Sequence, residues 1–357
     1  MTISRDRARR ISSRIESWFA QSARAFPWRP TGDGARDAYV SLVSEIMLQQ
    51  TQAARVAERL PVFLERFPDV SSLAGASEDD VLHAWQGLGY YRRARSLHGA
   101  ASMIEAEFDG VVPRDVASLR SLPGVGAYTA GAIASMAYGL PEACVDGNIQ
   151  RVIMRTVGID LEPDAPGTKD RVWDVARTLV GNSVSPGALN EGLMELGAVV
   201  CTPPPHSPSC GECPLARLCV ARREGRQQEI PRPKSRSRQR VIFHDSVVVA
   251  HPRLGLRVEQ RPDAGLWQKM WQPITHESDS EPAEEAVLAW SGLKSIEERG
   301  SFEHKTTHRV VKVRIWSGSG VGRGTPGEWA DRGRLGELAM SNAARRVIAL
   351  GGDLTID

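Results

Sequence analysis

Cys201, Cys210, Cys213 and Cys219 are spaced C-x8-C-x2-C-x5-C. Thiolates this dense are the ligand set of a metal centre, an iron–sulfur cubane or a zinc knuckle. Disulfides are the alternative. No secretory leader or long apolar run is evident, however, and structural disulfides are rare in the reducing cytosol expected for this chain. The remaining cysteine, Cys144, lies far from this group in sequence. Two carboxyls stand in contrasting settings. Glu45 precedes Ile46, Met47 and Leu48, so burial is expected to raise its pKa. Asp146 follows Ala143-Cys144-Val145 at an expected helix start, where amides and the helix dipole favour its ionised form. Taken singly, such an Asp is usually an N-cap and such a Glu usually faces the surface. Taken as a pair, one neutral and one ionised carboxyl form an acid–base constellation.

Between these carboxyls lies Leu122-Pro123-Gly124-Val125-Gly126-Ala127-Tyr128. It reads as a helix end, a tight glycine turn and a new helix start. Gly124 and Gly126 allow a sharp turn and a close approach to another surface. Their amides, with the first turn of the next helix, make a positive concavity suited to a phosphate.

The elements that must position these groups change character along the chain. The 357 residues suggest two or three domains, and 41% hydrophobic and 25% charged residues are ordinary for a globular protein. Apolar residues recur at helical spacing in Asp37–Arg59, Ser77–Trp85, Tyr91–Glu107 and Thr129–Tyr138. Short β-branched runs follow at Val241–Ala250, Gly255–Gln260 and Val310–Trp316, with helical patterns at Pro282–Ser291 and Ser341–Leu350. These patterns predict a mainly α domain over 1–221 and an α+β domain over 241–357. Residues 222–240 carry Arg222, Arg223, Arg226, Arg232, Lys234, Arg236, Arg238 and Arg240 against only Glu224 and Glu229. They read as a basic linker suited to lie near phosphate, although the net charge of the chain is only +2.

The glycine turn, followed by Val145-Asp146-Gly147-Asn148 and the four-cysteine loop (about 195–221), resembles the helix-hairpin-helix glycosylase superfamily that includes endonuclease III. Phe26-Pro27-Trp28-Arg29, Ser44-Glu45-Ile46-Met47-Leu48-Gln49-Gln50-Thr51-Gln52 and Gly87-Leu88-Gly89-Tyr90-Tyr91 are similar to one branch, the MutY-type adenine DNA glycosylases. This resemblance runs from about residue 14 to 220 and returns more weakly after 240. It implies a [4Fe–4S] cluster on the four cysteines, although the gap from Cys201 to Cys210 is two residues longer than usual. It implies that Glu45 protonates adenine at N7 and that Asp146 stabilises an oxocarbenium-like sugar or bonds to it transiently. Asn148 orients Asp146 or the attacking water. Bifunctional relatives carry a lysine where Tyr128 stands. A phenol cannot form a Schiff base, so the expected enzyme is monofunctional, with Tyr128 packed on the sugar or hydrogen-bonded near Asp146. Gln50 and Tyr90 fall at the wedge positions that fill the gap left by the extruded base, with Gln49 beside them.

In the second domain, Glu259-Gln260-Arg261-Pro262, Gly265-Leu266-Trp267 and Trp271-Gln272-Pro273 resemble the family's Nudix-like domain, without a pyrophosphohydrolase motif. In relatives a short loop there inspects 8-oxoguanine. The matching stretch is His304-Lys305-Thr306-Thr307-His308, in which Thr307 keeps a hydroxyl, His308 is retained and Thr306 replaces an aromatic residue. The expectation is a monomeric, cytoplasmic, nucleoid-associated enzyme with no membrane contact. It acts on double-stranded DNA and removes adenine opposite 8-oxoguanine or guanine. A thymine or uracil mismatch glycosylase and a non-catalytic damage-binding protein are the rivals.

Overall fold

The computed structural model describes residues 3–29, 36–233, 239–306, 308–322 and 324–351. The chain divides into two compact units, Met1–Gly75 with Ser96–Arg236, and Ala76–Arg95 with Ser237–Asp357. In chain order the helices before residue 224 are α1 (Arg5–Ser22), α2 (Ala38–Leu48), α3 (Ala53–Arg66), α4 (Val70–Ala74), α5 (Glu78–Ala84), α6 (Arg92–Glu107), α7 (Val116–Ser121), α8 (Ala127–Met136), α9 (Gly147–Val157), α10 (Thr168–Val180), α11 (Pro186–Val199) and α12 (Val220–Arg223).

The first unit is helical. Ile11 and Ile15 of α1, Val152 and Ile153 of α9, Val172 and Val175 of α10, and Leu189 and Leu193 of α11 share one buried cluster. Small residues bring its backbones close. A Cβ on Gly131 of α8 would lie 2.0 Å from the Ala143 carbonyl oxygen, and one on Gly197 of α11 would lie 2.6 Å from the Asn148 Cβ. Those approaches set the segment that carries Asp146 and Asn148 against two helices. The single helical run expected over Asp37–Arg59 is broken. α2 ends at Leu48, Gln50 has φ +56°, and α3 begins at Ala53. Residues 222–233, read from composition as linker, are structured in this unit. Ile230 is buried, and Arg226 and Arg232 both bind Asp160, at 2.7 and 2.9 Å.

The second unit holds strands β1 (Arg240–Val248), β2 (Ala250–His251), β3 (Gly255–Gln260), β4 (Trp271–Ser278), β5 (Ser295–Lys305), β6 (Arg309–Ser319) and β7 (Glu328–Ala330), and helices α13 (Glu284–Ser291), α14 (Arg332–Glu337) and α15 (Asn342–Gly351). The sheet order is β2-β3-β4-β1-β6-β5, with β7 paired to β3. β1 and β6 run parallel and the other pairs antiparallel. One face packs Val258, Val313 and Ile315 on Val347 and Ile348 of α15. The other packs Val247, Ile274 and Trp316 on Val287 of α13. β4 and β5 were not evident in the sequence. β5 is largely exposed and rich in charge, so it lacks a buried apolar run. Helix α5 and the turn after it belong to this unit: Tyr91 Oη donates to the Met340 carbonyl at 3.2 Å, and Arg95 Nη2 to the Gln268 carbonyl at 2.7 Å.

Candidate active site and cysteine pocket

Glu45 lies on α2 and is 2% exposed. Its Oε2 accepts a hydrogen bond from the Tyr128 phenol at 2.8 Å, and its Oε1 is 3.6 Å from Arg36 Nη2. Burial pushes its pKa up, and the Arg36 charge and the Tyr128 bond oppose this only in part. The expected burial of Glu45 and the upward direction of its pKa are both found.

Asp146 is the N-cap of α9, as the sequence suggested. Its Oδ1 accepts from the Ile149 amide at 2.7 Å, and its Oδ2 from Asn148 Nδ2 at 3.1 Å. The amide and Asn148 bonds favour its ionised form, as expected. Burial outweighs the cap, and the Asp146 pKa is raised, not lowered. The amides stabilise the anion, but the displaced water would have done so better. Asn148 is held in turn by Arg151, whose Nη2 donates to Asn148 Oδ1 at 2.8 Å and whose Nε donates to the Cys201 carbonyl at 2.7 Å. Tyr128 bonds to Glu45 and not to Asp146, although the charges of Glu45, Cys144 and Asp146 all help burial to raise its pKa. That shared influence places Glu45, Tyr128, Cys144 and Asp146 around one buried locus. Cys144 is fully buried and its thiol pKa is driven up.

Sequence reading missed the charges behind this locus. Arg36 is shared by Glu45 and, at 3.4 Å, Glu191. Arg29 pairs with Glu191 at 2.9 Å and Glu195 at 3.2 Å, and Arg24 also binds Glu195. Glu191 and Glu195 sit at i,i+4 on α11, one face of one helix, and that spacing was the only available signal.

The glycine turn joins α7 to α8. Gly124 has φ +79°, and a Cβ there would lie 2.6 Å from the Ser96 Cβ. Gly126 is the N-cap of α8 without a side-chain cap, and a Cβ on it would meet nothing within 4 Å. The space beside its Cα is therefore open. Gln49 caps α2 and donates to Thr129 Oγ1 at 3.3 Å, while Gln50 is exposed in a left-handed backbone conformation. In the second unit, Tyr90 is 47% exposed with φ +49° and is not helical, whereas Tyr91 is buried. Arg93 stiffens that turn by bonding the Leu88 and Gly89 carbonyls at 2.9 and 3.0 Å. His308 is exposed, and its carbonyl accepts from the Arg240 amide at 3.1 Å. Thr306 closes the β5–β6 hairpin: its Oγ1 accepts from the Arg309 amide at 3.0 Å. Thr307 lies outside the described residues.

Cys201, Cys210, Cys213 and Cys219 line one pocket with roughly 400 Å³ of empty space, part of it open to solvent. Among the described residues, no three His, Cys, Asp or Glu side chains converge tightly enough for a single metal ion. Arg155 and Gln227 line the same pocket, and Arg155 Nη2 and Gln227 Oε1 are buried without a protein partner. Arg155 Nη1 donates to Cys201 Sγ at 3.2 Å. Burial raises the thiol pKa of Cys213 to about 12. His206 is exposed on the connecting loop.

Residues 43–177 match the model of the HhH-GPD superfamily of base excision DNA repair proteins, and residues 247–350 match the NUDIX domain. Adenine DNA glycosylase of Homo sapiens is 32% identical over 395 aligned residues, spanning 93% of this chain and 72% of that protein. The chain belongs to the adenine DNA glycosylase family. Within it, the Mycolicibacterium smegmatis adenine DNA glycosylase is 45% identical over 200 residues, 56% of this chain and 66% of that protein. A thermostable thymine-DNA glycosylase structure covers 61% of the chain and 98% of its own, with a TM-score of 0.54 and 29% identity. An endonuclease III–DNA complex aligns with a TM-score of 0.51 at 22% identity and shares the fold. No helix among the described residues is long and apolar enough to cross a membrane.

Proposed function

We propose that this glycosylase removes adenine from double-stranded DNA where it is mispaired with 8-oxoguanine or guanine, and leaves an abasic site. The observation that carries the reading is a buried, protonatable Glu45 hydrogen-bonded to Tyr128 at the locus of Asp146. Breaking an N-glycosidic bond sends its electron pair to the base, so the base needs a proton and the sugar gains positive charge. Glu45, whose pKa burial raises, gives its proton to adenine N7. Asp146, fixed by the Ile149 amide and Asn148, offsets the charge growing on the sugar or bonds to C1′ transiently. The ionised form of Asp146 is the one that does this, and the Ile149 amide and Asn148 favour that form against burial. Water then adds to C1′, its proton passing to one of the two carboxylates. Tyr128 supplies no amine, so the strand stays intact. Gln50 and Tyr90 are exposed in left-handed backbone positions; this supports their roles as residues that fill the gap in the duplex.

The four cysteines would hold a [4Fe–4S] cluster. The unpartnered Arg155 Nη2 donor fits an anionic group in that pocket, and four thiols lining one volume suit a multi-iron group. When bound, the cluster would supply structural order to the loop 201–219, with no part in the bond-breaking step. The domain reading that goes with this is a glycosylase domain over 1–221, a basic connection over 222–240 whose first part packs on the glycosylase unit, and a lesion-inspecting domain over 241–357 whose compact unit also takes in residues 76–95.

Thymine release is the competing reading, favoured by the structural likeness to a thymine-DNA glycosylase. That likeness leaves the NUDIX region unmatched in extent, since it spans 61% of this chain. Single-turnover base release on duplexes carrying adenine opposite 8-oxoguanine, thymine opposite guanine, or uracil opposite guanine tests the choice. Strand scission only after alkali, and only on the first duplex, is the expected result. Release of thymine or uracil overturns the substrate, and scission without alkali overturns the monofunctional assignment.

A further inference from the structure

Arg36 is the polar group at this site whose purpose the chemistry above leaves open. Its side chain is 3% exposed. One nitrogen lies 3.6 Å from Glu45 Oε1 and another 3.4 Å from Glu191 Oε1. It touches Ser44 Oγ at 3.4 Å and Met136 Sδ at 2.8 Å, and its Nε has no partner in the protein. Burying a guanidinium is costly unless carboxylates compensate it. Here the Glu191 carboxylate and the Glu45 carboxyl face it, and they come from helices far apart in sequence, α11 and α2. Arg36 directly precedes Asp37, the N-cap of α2, so its backbone is anchored at the start of the helix that carries Glu45.

We propose that Arg36 is a positioning residue: its guanidinium clamps Glu45 to Glu191, holds the Glu45 carboxyl in one orientation and governs when that carboxyl keeps its proton. This rests on Glu45 acting as the acid. The charged and titratable groups facing Glu45 are Arg36, Tyr128 of α8, Cys144 and Asp146 ahead of α9, and Glu191 of α11. Arg36 is the cation among them, and it alone pulls against burial through charge. With it gone, Glu45 would face Glu191 and Asp146 with no cation beside it, and its proton would be held to higher pH. A planar guanidinium also fixes direction, which an ammonium does not.

Two variants separate charge from shape. Arg36→Met is expected to move the alkaline limb of the single-turnover pH profile up by about one unit or more, with a slower plateau. Arg36→Lys restores the position of the limb but leaves the plateau about tenfold below wild type, because the point charge does not orient the carboxyl. A limb unmoved in folded Arg36→Met overturns the proposal. So does a wild-type plateau in Arg36→Lys, which also decides the matter if the methionine variant does not fold. A purely structural arginine would lower the plateau in both variants without moving the limb. A second readout needs no activity: the carbon-13 carboxyl titration of Glu45, assigned by its loss in Glu45→Gln. An upward displacement in Arg36→Met supports the clamp, and no displacement overturns it. If wild type releases no base, the functional reading fails, and this titration still decides the inference about Arg36.

Discussion

At the residue scale, the site keeps two carboxyls in one dry locus and gives each a different set of partners. Glu45 meets a phenol and an arginine, whereas Asp146 meets an amide and an asparagine. Both have raised pKa values, with burial the largest cause in each. A raised carboxyl contributes stability below its unfolded pKa and loses it as pH rises through the folded value. The stability of wild type relative to Glu45→Gln is therefore expected to fall as pH rises above the ordinary carboxylate range, read as the difference in melting temperature. For catalysis the required forms are opposite, Asp146 ionised and Glu45 neutral. The rate should rise as Asp146 loses its proton and fall as Glu45 loses its own, with both limbs above the ordinary carboxylate range in a coupled titration. Glu45→Gln should slow base release by about 100-fold or more. Asp146→Asn should do the same while DNA affinity is retained. Lost DNA affinity in Asp146→Asn would instead mark that residue as a structural cap. The carboxyls were legible from the sequence because each lies in a local pattern, an apolar run or a helix start. Arg36 and Glu191 were not, because their meaning comes from contacts between helices, and the i,i+4 spacing of Glu191 and Glu195 does not name a partner. The sign of the Asp146 shift was also illegible, since a cap can be read locally and burial cannot.

At the scale of elements, α7, the glycine turn and α8 form a unit whose two glycines have different jobs. Gly124 is required by its own fold, with φ +79° and Ser96 against it. Gly126 is extended at φ −89° and faces open space. Gly124→Ala should cost on the order of 1 kcal/mol or more of stability through backbone conformation and the clash. Gly126→Ala should leave the melting temperature close to wild type yet weaken DNA binding, because the added methyl blocks approach to the α8 amides. Unchanged DNA affinity in Gly126→Ala would show that this turn is only a corner. The hairpin was visible in the sequence because glycine and proline punctuate it. The break after α2 was not. Gln49-Gln50-Thr51-Gln52 carries no glycine or proline, and Gln50 takes up a left-handed conformation that sequence patterns rarely signal. The β3 strand was readable to the residue, Gly255–Gln260, whereas β5 was hidden by its exposed, charged composition. At the cysteine pocket, Cys213→Ser should abolish iron content and visible absorbance in purified protein and lower the melting temperature, because metal binding is coupled to order in the loop. Full iron retention in that variant would remove Cys213 from the ligand set.

At the scale of the whole molecule, the question is what a second domain adds to a glycosylase whose proposed acid, anion and hairpin all lie in one helical unit. The second domain matches the NUDIX domain over residues 247–350, and its exposed surface is where a contribution to DNA recognition is proposed. The exposed candidates cluster at the β5–β6 hairpin. Thr306 is engaged in closing that turn through Arg309, and among the described residues of the turn His308 is exposed. A turn residue engaged in its own hairpin cannot also stack into a duplex, so any discrimination here rests on hydrogen bonding and not on an aromatic wedge. Hydrogen bonds to one oxidised base set a ratio of rates, not the rate of bond breaking itself. His308→Ala is therefore expected to slow adenine release opposite 8-oxoguanine several-fold at subsaturating enzyme while leaving release opposite guanine near wild type. The single-turnover plateau at saturating enzyme should be unchanged, because Glu45 and Asp146 belong to the other unit. Equal losses on both duplexes would show that His308 supports general DNA affinity, and no loss on either would move lesion inspection away from this hairpin.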